Sequence, residues 1–348
     1  MNKEYHIIGL MSGTSLDGID LVKCIFRKKK NWEFILESCK TIEYTKSWKE
    51  RLNTLHSESK KIIQKIDKDY GSYLAEIINE FIDEKQLKVD YIASHGHTIF
   101  HQPKNRYTLQ IGDGKTISEK TNITTINNFR SLDVSLGGQG APLVPIGDLH
   151  LFTNYKYCLN LGGFANISEK KEDIIAFDIC PVNIVMNQIC KEINKNYDEN
   201  GEIARKGTII PSVLNKLNKL QYYRKRPPKS LSREWVEENI NPIFERENYT
   251  TEDKLNTFCE HIAIQISLFL KNNSVLVTGG GAFNKYLMER INKHSSSHII
   301  LPKTDIIDFK EAIIFAFLGV LRLENINNCL SSVTGAKRDN CGGDIYIK

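Results

Sequence analysis

Residues 7–20 of the chain read IIGLMSGTSLDGID, and this stretch decides the fold that the sequence predicts. An apolar run from Tyr5 to Leu10 is typical of a buried strand, and a second apolar run begins at Ile19. Between them the chain turns through glycines and hydroxyl residues. Glycine lets the backbone approach an anion closely, and serine and threonine hydroxyls add donors without bulk. The stretch predicts either a phosphate-binding hairpin or a plain hairpin with a glycine-rich turn.

The aspartates of this stretch bear on the choice between a phosphate-binding hairpin and a plain one. Asp17 and Asp20 would repel phosphate unless a cation lay between, so a phosphate site here implies Mg²⁺. The stretch lacks the Gly-Lys-Ser/Thr ending of a Walker loop, and no helix signal follows it directly.

Composition bounds the class of protein. At 348 residues the chain is long enough for two domains, and 41% apolar with 26% charged residues is typical of a globular protein. The net charge of +5 suits an anionic ligand without requiring one. The basic tracts 27–30 and 224–226 lack the aromatic interleaving of a nucleic-acid surface. We therefore expect no nucleic-acid partner.

The cysteines and the apolar runs indicate the compartment. None of the eight cysteines forms a Cys-x-x-Cys pair, which favours reduced thiols over a disulfide framework or a zinc site. No signal pattern precedes the first strand, and the longest apolar run, residues 313–321, is too short to span a membrane. We expect a cytoplasmic protein without a membrane partner.

A predicted strand, residues 89–94, ends at a histidine-rich segment with His95, His97 and His101. Ligands of α/β sheets usually lie at such strand ends. The spacing matches no zinc pattern, so a structural or substrate-contact role is favoured over metal ligation.

Residues 129–145 read FRSLDVSLGGQGAPLVP and form a loop of unusual composition. Glycines, a glutamine, Arg130 and Asp133 make a polar surface that a ligand can approach closely, and such loops often carry function. The segment is equally typical of a hinge or linker. We place the domain boundary here, giving domains at residues 1–130 and 131–348.

The second half repeats the pattern of strand, glycine turn and strand. A strand at residues 157–161 meets the glycine-rich segment 162–168, and the strand 174–177 ends at Asp178. This is weak internal duplication, at the level of architecture. Further on, Gly279-Gly280-Gly281 lies between a strand and a helix, where a nucleotide can approach the backbone.

The last long helix is predicted over residues 312–323, with Glu311 opening it. A carboxylate in a first turn is favoured by the helix dipole, which is the structural explanation for Glu311.

In this order the motifs resemble the anhydro-N-acetylmuramic acid kinase family, of the superfamily of sugar kinases, heat-shock ATPases and actin. The resemblance covers nearly the whole chain. It rests on the segments 13–18 with Asp20, 108–113, 137–145, 160–163 with Asn166, 279–281, Glu311-Ala312 and 332–336.

The resemblance implies an α/β fold with two ribonuclease H-like, actin-like ATPase domains and ATP in a cleft between them. The first domain would carry the phosphate-binding hairpin, and the second the catalytic aspartate and the adenosine site. The implied reaction opens the 1,6-anhydro bond of anhydro-N-acetylmuramic acid with water and phosphorylates O6. The product, N-acetylmuramic acid 6-phosphate, serves cell-wall recycling. Small molecules are the only expected partners besides a second copy in a homodimer.

The resemblance also assigns residues. Asp178 would be the catalytic base and Glu311 a second carboxylate facing the sugar. The ATP-binding residues would be Gly13, Thr14, Ser15, Leu16, Asp17, Gly18, Ile19, Asp20, Gly279, Gly280 and Gly281. The sugar-binding residues would be Arg130, Gln139, Gly140, Ala141 and Pro142. No residue is assigned as a direct metal ligand, and Asp17 and Asp20 would order Mg²⁺ or its waters.

One segment departs from the family pattern. Residues 178–183 read DICPVN, where many members read Asp-Thr-Gly-Pro-Gly-Asn. If the two missing glycines allow close approach to a ligand, Cys180 and Val182 must alter that geometry. His97 likewise stands where glutamine is usual.

Three other functions compete with this one. Another sugar or acid kinase would fit both nucleotide-like glycine clusters, but fits the 137–145 loop and the carboxylate pair less well. A heat-shock-like binding protein would need a peptide-binding module, and no segment remains to form one. A glycoside hydrolase with two carboxylates would leave the glycine clusters unexplained.

Overall fold

The structure is a computed structural model that describes residues 3–13, 16–244 and 249–348. In chain order the strands are β1 (Glu4–Ser12), β2 (Ile19–Lys28), β3 (Trp32–Ile42), β4 (Tyr91–Gln102), β5 (Tyr107–Ile111), β6 (Thr124–Asn127), β7 (Tyr157–Leu161), β8 (Phe164–Glu169), β9 (Ile175–Pro181), β10 (Ser274–Thr278), β11 (His298–Ile300) and β12 (Asp344–Tyr346). The helices are α1 (Lys46–Thr54), α2 (Lys60–Lys85), α3 (Gly114–Thr121), α4 (Ser131–Ser135), α5 (Val144–Leu151), α6 (Asn183–Cys190), α7 (Pro211–Asn218), α8 (Arg233–Asn239), α9 (Asn241–Phe244), α10 (Thr251–Ser267), α11 (Lys285–His294), α12 (Thr304–Leu323) and α13 (Ser331–Thr334).

The chain forms two compact units. Unit 1 consists of Met1–Leu151 and Phe309–Lys348, and unit 2 of Phe152–Asp308. Along the described ranges no helix combines the length and the hydropathy needed to cross a membrane.

Unit 1 is built on a seven-stranded sheet. Its strand order is β12-β6-β4-β1-β2-β3, and β5 pairs with β4. The first three strands form an antiparallel meander, and β4 and β6 then continue the sheet parallel to β1. Apolar residues of α2, spaced three and four apart, pack against this sheet, among them Ile63, Ile66 and Leu74.

Unit 2 repeats this arrangement. Its sheet has the order β11-β10-β7-β8-β9. Here β7, β8 and β9 form the antiparallel meander, and β10 and β11 extend it parallel to β7. An antiparallel meander extended by parallel strands beside its first strand is the ribonuclease H-like topology. The predicted α/β class with two such folds is confirmed, and so is the duplication at the level of architecture.

The division between the units differs from the boundary expected after residue 130. Residues 131–151 belong to unit 1, and the chain returns to unit 1 at Phe309. The return has two physical causes: β12 pairs antiparallel with β6, and the second half of α12 packs on β1.

Glycine makes the packing of α12 on β1 possible. A Cβ on Gly9 would overlap the carbonyl oxygen of Ala312 and lie 2.8 Å from Cβ of Ala316. About one helical turn after Ala316, a Cβ on Gly319 would lie 2.7 Å from Cβ of Ala93 in β4. Small residues therefore set the distance between this helix and the sheet.

The last long helix begins earlier than predicted. It starts at Thr304, so Glu311 lies two turns inside α12 and does not open it. The helix dipole acts mainly within the first turn, so it does not explain the carboxylate at this position.

Candidate active site

A pocket of about 340 Å³ lies in unit 1 where three of its segments meet. The first glycine turn, the histidine-rich part of β4 and the 137–145 loop all contribute to it. Its lining residues are Met11, Ser12, Gly13, His95, Thr98, His101, Arg130 and Ala141. The structure thus brings together residues that the sequence assigned separately to phosphate and to sugar.

Arg130 is held in this pocket by uncharged partners. Its Nε and Nη2 lie 3.1 and 2.9 Å from Nε2 of His95, and its Nη1 donates to the carbonyl oxygen of Gly140 at 2.6 Å. The guanidinium also lies 5.9 Å from the ring centroid of Phe315. Because none of these partners carries a negative charge, the cation is available to an anionic ligand.

His95 accepts these hydrogen bonds because it is neutral. Its Nδ1 lies 2.8 Å from the carbonyl oxygen of Gly96, so the Nδ1 hydrogen is donated there and Nε2 is left as the acceptor. Burial and the nearby Arg130 charge hold the pKa of His95 well below its usual value. The residue that sequence reasoning weighed as a metal ligand therefore supports the arginine.

His97 belongs to a different, buried cluster under the first glycine turn. Its Nδ1 lies 3.1 Å from Oγ of Ser12, the last residue of β1, and the hydroxyls of Tyr44 and Tyr70 also bind that Oγ. Burial lowers the pKa of His97 to about 4, so the ring is neutral. This network fixes the residue that leads into the turn.

The first glycine turn is only partly described, because Thr14 and Ser15 lie outside the described residues. Leu16 adopts a left-handed φ of 59°, and its N–H donates to the carbonyl oxygen of Gly13 at 3.3 Å. A Cβ on Gly18 would lie 2.8 Å from Cγ2 of Thr41, so β3 leaves no room for a side chain there. Ile19 is fully buried in the core and offers only its backbone to a ligand.

Acidic groups gather at the other end of this turn. Asp20 accepts a hydrogen bond from Oγ1 of Thr41 at 2.6 Å, and Asp17 is exposed. Burial raises the pKa of Asp20, and the charge of Asp17 adds to the rise. Desolvation by the surrounding protein raises the pKa of Glu311; the charge of Arg130 opposes that rise and the charge of Asp20 adds to it.

This acidic group fits a hydrated Mg²⁺ ion. No cluster of three or more histidine, cysteine or acidic side chains suited to a metal occurs in the described parts of the chain. A magnesium ion that bridges to phosphates needs only one or two protein carboxylates and otherwise keeps its waters. Thr41 binds one carboxylate oxygen of Asp20, and within the described residues no donor binds the other, which could hold the ion or one of its waters.

The sugar-binding residues expected from the 137–145 loop differ in exposure. Gln139 and Pro142 are exposed, Ala141 lines the pocket, and Gly140 is buried. Gly140 has a φ of +67°, and the N–H of Gln139 donates to the carbonyl oxygen of Thr334 at 2.8 Å. The backbone of this loop is therefore fixed, while Gln139 presents its side chain to solvent.

Asp178 lies in β9 of unit 2 and is half-buried. Its Oδ2 accepts a hydrogen bond from the N–H of Leu231 at 2.9 Å, and its carbonyl oxygen accepts one from the hydroxyl of Tyr222 at 2.6 Å. Burial raises the pKa of Asp178, and the Leu231 hydrogen bond opposes that rise. A carboxylate with a raised pKa, whose other oxygen has no hydrogen-bond donor among the described residues, is suited to accept a proton.

The residues that depart from the family pattern point into the core. Ile179, Cys180 and Val182 are all fully buried in unit 2. The N–H of Val182 donates to the carbonyl oxygen of Gly163 at 2.8 Å, so the start of α6 is tied to the second glycine turn. These substitutions therefore change the packing under Asp178 and do not place side chains on a ligand surface.

The triple glycine lies at the end of β10 as predicted. Gly279 has a φ of +83°, and a Cβ there or on Gly281 would crowd the end of β7 at Leu161. Gly280 differs, because its nearest neighbour would be Nδ2 of Asn183 at 3.7 Å. Two of the three glycines thus serve close packing, and Gly280 leaves an open backbone surface.

Sequence reasoning missed two groups that hold these residues. The segment Lys229–Leu231 binds Asp178 through its backbone, and a backbone N–H carries no sequence signal. Asp133 was noted beside Arg130, but it binds the loop and the C-terminal segment instead. The only indication of this role in the sequence was the position of Asp133 shortly before the glycines of the 137–145 loop.

Two ribonuclease H-like folds in one chain, each with a glycine-rich turn next to acidic residues, define the class of actin-like ATPases and sugar kinases. Within that class, the chain belongs to the anhydro-N-acetylmuramic acid kinase family, whose sequence model matches residues 5–348.

Relatives that match this chain from end to end support this assignment. The chain is 33% identical to the anhydro-N-acetylmuramic acid kinase of Sulfurovum sp. (strain NBC37-1), with 100% of each sequence covered. It is 35% identical to that of Actinobacillus pleuropneumoniae serotype 3 (strain JL03), again with 100% of both covered.

Among solved structures, the chain is similar to the activator of 2-hydroxyisocaproyl-CoA dehydratase from Clostridium difficile, at 14% identity and a TM-score of 0.45, and the match covers 93% of this chain and 97% of that one.

Proposed function

We propose that the protein is an ATP-dependent kinase that opens the anhydro bond of 1,6-anhydro-N-acetylmuramic acid and phosphorylates O6. The observation that carries the proposal is the family match over residues 5–348. The pocket of unit 1 supports it, since about 340 Å³ with one cation and several polar groups suits a charged monosaccharide.

Asp178 accepts the proton in the proposed reaction. Water adds to C1 of the sugar and gives a proton to Asp178 as the bond between C1 and O6 breaks. O6 forms a bond to the γ-phosphorus of ATP, and ADP leaves. Because the leaving oxygen is itself phosphorylated, it needs no general acid, and the remaining task of the protein is positioning and charge stabilisation.

Arg130 and Glu311 bind the sugar in this proposal. Arg130, held by neutral His95 and by Gly140, faces the lactyl carboxylate of the substrate. Glu311 orients a sugar hydroxyl or the attacking water. Gln139, Gly140, Ala141 and Pro142 form the rest of the sugar site through the 137–145 loop.

Backbone donors of both glycine-rich segments bind ATP. Residues 13–20 contact the phosphates, with Thr14 and Ser15 assigned from the sequence alone. Gly279, Gly280 and Gly281 support the adenosine, and Gly280 offers the most open surface of the three. Asp17 and Asp20 hold Mg²⁺ or its waters, and the ion neutralises phosphate charge when bound.

The setting of the reaction follows from the family. We propose a cytoplasmic enzyme of cell-wall recycling that acts on small molecules and forms a homodimer. Eight cysteines without a disulfide bond accord with a reducing compartment.

The experiment that tests the function is ³¹P and ¹H NMR of the purified protein with MgATP and 1,6-anhydro-N-acetylmuramic acid. We expect a sugar 6-phosphate signal to appear while the resonances of the anhydro ring disappear at the same rate. N-acetylmuramic acid, which lacks the anhydro bond, is the matched control and should not be phosphorylated. Phosphorylation of the control alone, or of another sugar from a panel, would contradict the proposal.

A further inference from the structure

Asp133 is a fully buried carboxylate that binds four uncharged donors. Its Oδ2 accepts a hydrogen bond from the N–H of Gly140 at 2.8 Å. Its Oδ1 accepts from Thr334 Oγ1 at 2.8 Å, from Asn340 Nδ2 at 2.9 Å and from Cys329 Sγ at 3.1 Å. One oxygen therefore holds the 137–145 loop, and the other holds the C-terminal segment 329–340.

The loop is shaped around this carboxylate. The N–H of Gly138 donates to the carbonyl oxygen of Asp133 at 2.9 Å. A Cβ on Gly138 would overlap Oδ2 of Asp133 and lie 2.7 Å from its Cγ. Only glycine at position 138 lets the backbone come this close, so the sequence of the loop matches the position of Asp133.

The loop in turn holds Arg130. Gly140 donates its N–H to Asp133 and accepts Nη1 of Arg130 on its carbonyl oxygen at 2.6 Å. The position of the guanidinium therefore depends on where Asp133 places Gly140. No atom of Asp133 is among the pocket lining, so any effect on a ligand must pass through these two residues.

We infer that Asp133 is a positioning residue for the sugar site: it anchors the 137–145 loop to the C-terminal segment and so sets the geometry of Arg130 toward the anionic group of the substrate. The inference rests on the proposed function for the identity of that substrate. It assigns a role in substrate binding to a residue that touches neither sugar nor nucleotide.

Asp133→Asn tests the inference at one oxygen. The amide oxygen can keep the three donors at Oδ1, but the NH₂ group then faces the N–H of Gly140, and two donors cannot bond to each other. We expect the sugar KM to rise about tenfold, the size expected when a buried donor loses its partner. The ATP KM and kcat should stay within about twofold of wild type, because the nucleotide and the base are untouched.

Thr334→Val is the matched control at the other oxygen. It removes one donor from Oδ1 and leaves the contact with Gly140 intact. We expect a Tm lowered by about 2–4 °C, as for loss of one hydrogen bond, with the sugar KM within about twofold of wild type. Gly138→Ala, which pushes Oδ2 away, should reproduce the KM effect of Asp133→Asn.

A readout independent of activity separates this inference from the proposed function. In hydrogen–deuterium exchange, residues 137–145 should exchange faster in Asp133→Asn and Gly138→Ala than in wild type and Thr334→Val. Unchanged exchange there, or equal rises in the sugar and ATP KM, would overturn the role of Asp133. Absence of any turnover by wild type would refute the proposed function and leave the exchange result to decide on Asp133.

Discussion

At the scale of single residues, the proposed base Asp178 and the proposed sugar-binding residue Arg130 lie in surroundings that affect their charges differently. Asp178 is a carboxylate whose pKa is raised by burial, so it holds a proton more readily than an exposed aspartate does. Arg130 is a cation whose hydrogen-bond partners, His95 and Gly140, are neutral, so these bonds do not neutralise its charge. The first arrangement suits proton transfer and the second suits anion binding.

Asp178→Asn should abolish most turnover while ATP still binds. Asparagine keeps the shape and an oxygen for the N–H of Leu231, but it cannot accept the proton of water. Loss of a general base costs about 10²–10⁴-fold in rate, and we expect kcat to fall by that amount in a coupled ADP assay. Isothermal titration with a non-hydrolysable ATP analogue should give an unchanged affinity.

The control is Asp173→Asn, which changes an exposed aspartate of the same unit. It should leave kcat as in wild type. Turnover by Asp178→Asn near the wild-type rate would refute the assignment of the base.

Arg130→Ala should weaken sugar binding selectively. It removes a charged donor from the pocket and leaves His95 and Gly140 with one partner fewer. A hydrogen bond to a charged group is strong enough for a roughly 10–100-fold rise in the sugar KM. Steady-state kinetics with each substrate varied in turn should show the ATP KM nearly unchanged, and exposed Arg106→Ala should change neither. Equal rises for both substrates would rule out a direct contact with the sugar.

At the scale of helices and strands, local patterns were predicted well and long-range contacts were not. The apolar spacing of residues 62–85 is typical of a helix, and the helix is observed as Lys60–Lys85. Ser232, a residue type that favours the start of a helix, caps α8. The start of α12 was placed eight residues late, because Thr304–Glu311 is mostly polar or charged and lacks the apolar spacing that follows. The contact between Asp178 and Leu231 joins residues far apart in sequence through a backbone group, which no residue pattern records.

Other elements were missed for a similar reason. The glycine-rich segment 162–168 was interpreted as a turn, but only Gly162 and Gly163 turn, and β8 begins at Phe164. The helix α7 lies in a charged region whose few apolar residues give a weak helical pattern. The residue types of the site were therefore predictable, while the groups that hold them were found only from the packing.

Gly9→Ala tests the contact between β1 and α12. Its Cβ would overlap the carbonyl oxygen of Ala312, so the helix must move away from the sheet. Overpacking of this kind typically costs about 1–3 kcal/mol, and thermal unfolding should show a clearly lower Tm. Gly163→Ala is the control, because its Cβ would meet its nearest neighbour at 3.9 Å. Equal stability of Gly9→Ala and wild type would show that the helix is not held at this distance.

At the scale of the whole molecule, the two units differ in how the chain builds them. Unit 2 is one continuous segment, whereas unit 1 needs both Met1–Leu151 and Phe309–Lys348. The C-terminal part supplies β12 at the edge of the sheet and the portion of α12 that packs on Gly9. Unit 1 is therefore incomplete without the end of the chain.

A chain shortened after Asp308 should keep unit 2 folded and lose unit 1. Without the second half of α12, the apolar surface of β1 that it covers is exposed to water, which costs the sheet much of its buried area. Hydrogen–deuterium exchange should show protected amides in β7–β10 and rapid exchange in β1–β4. Protection of both sheets in the shortened chain would contradict this dependence.

The divided construction of unit 1 has a consequence for biosynthesis. On the ribosome, the first 151 residues emerge long before their partner segment, and synthesis of the roughly 200 residues in between and after takes about 10–40 s at ~5–20 residues per second. During that interval unit 2 can fold as it emerges, but the nascent first sheet has an uncovered apolar face. We therefore expect the early segment to depend on chaperones that shield emerging chains, and slow translation to lower the yield of native enzyme.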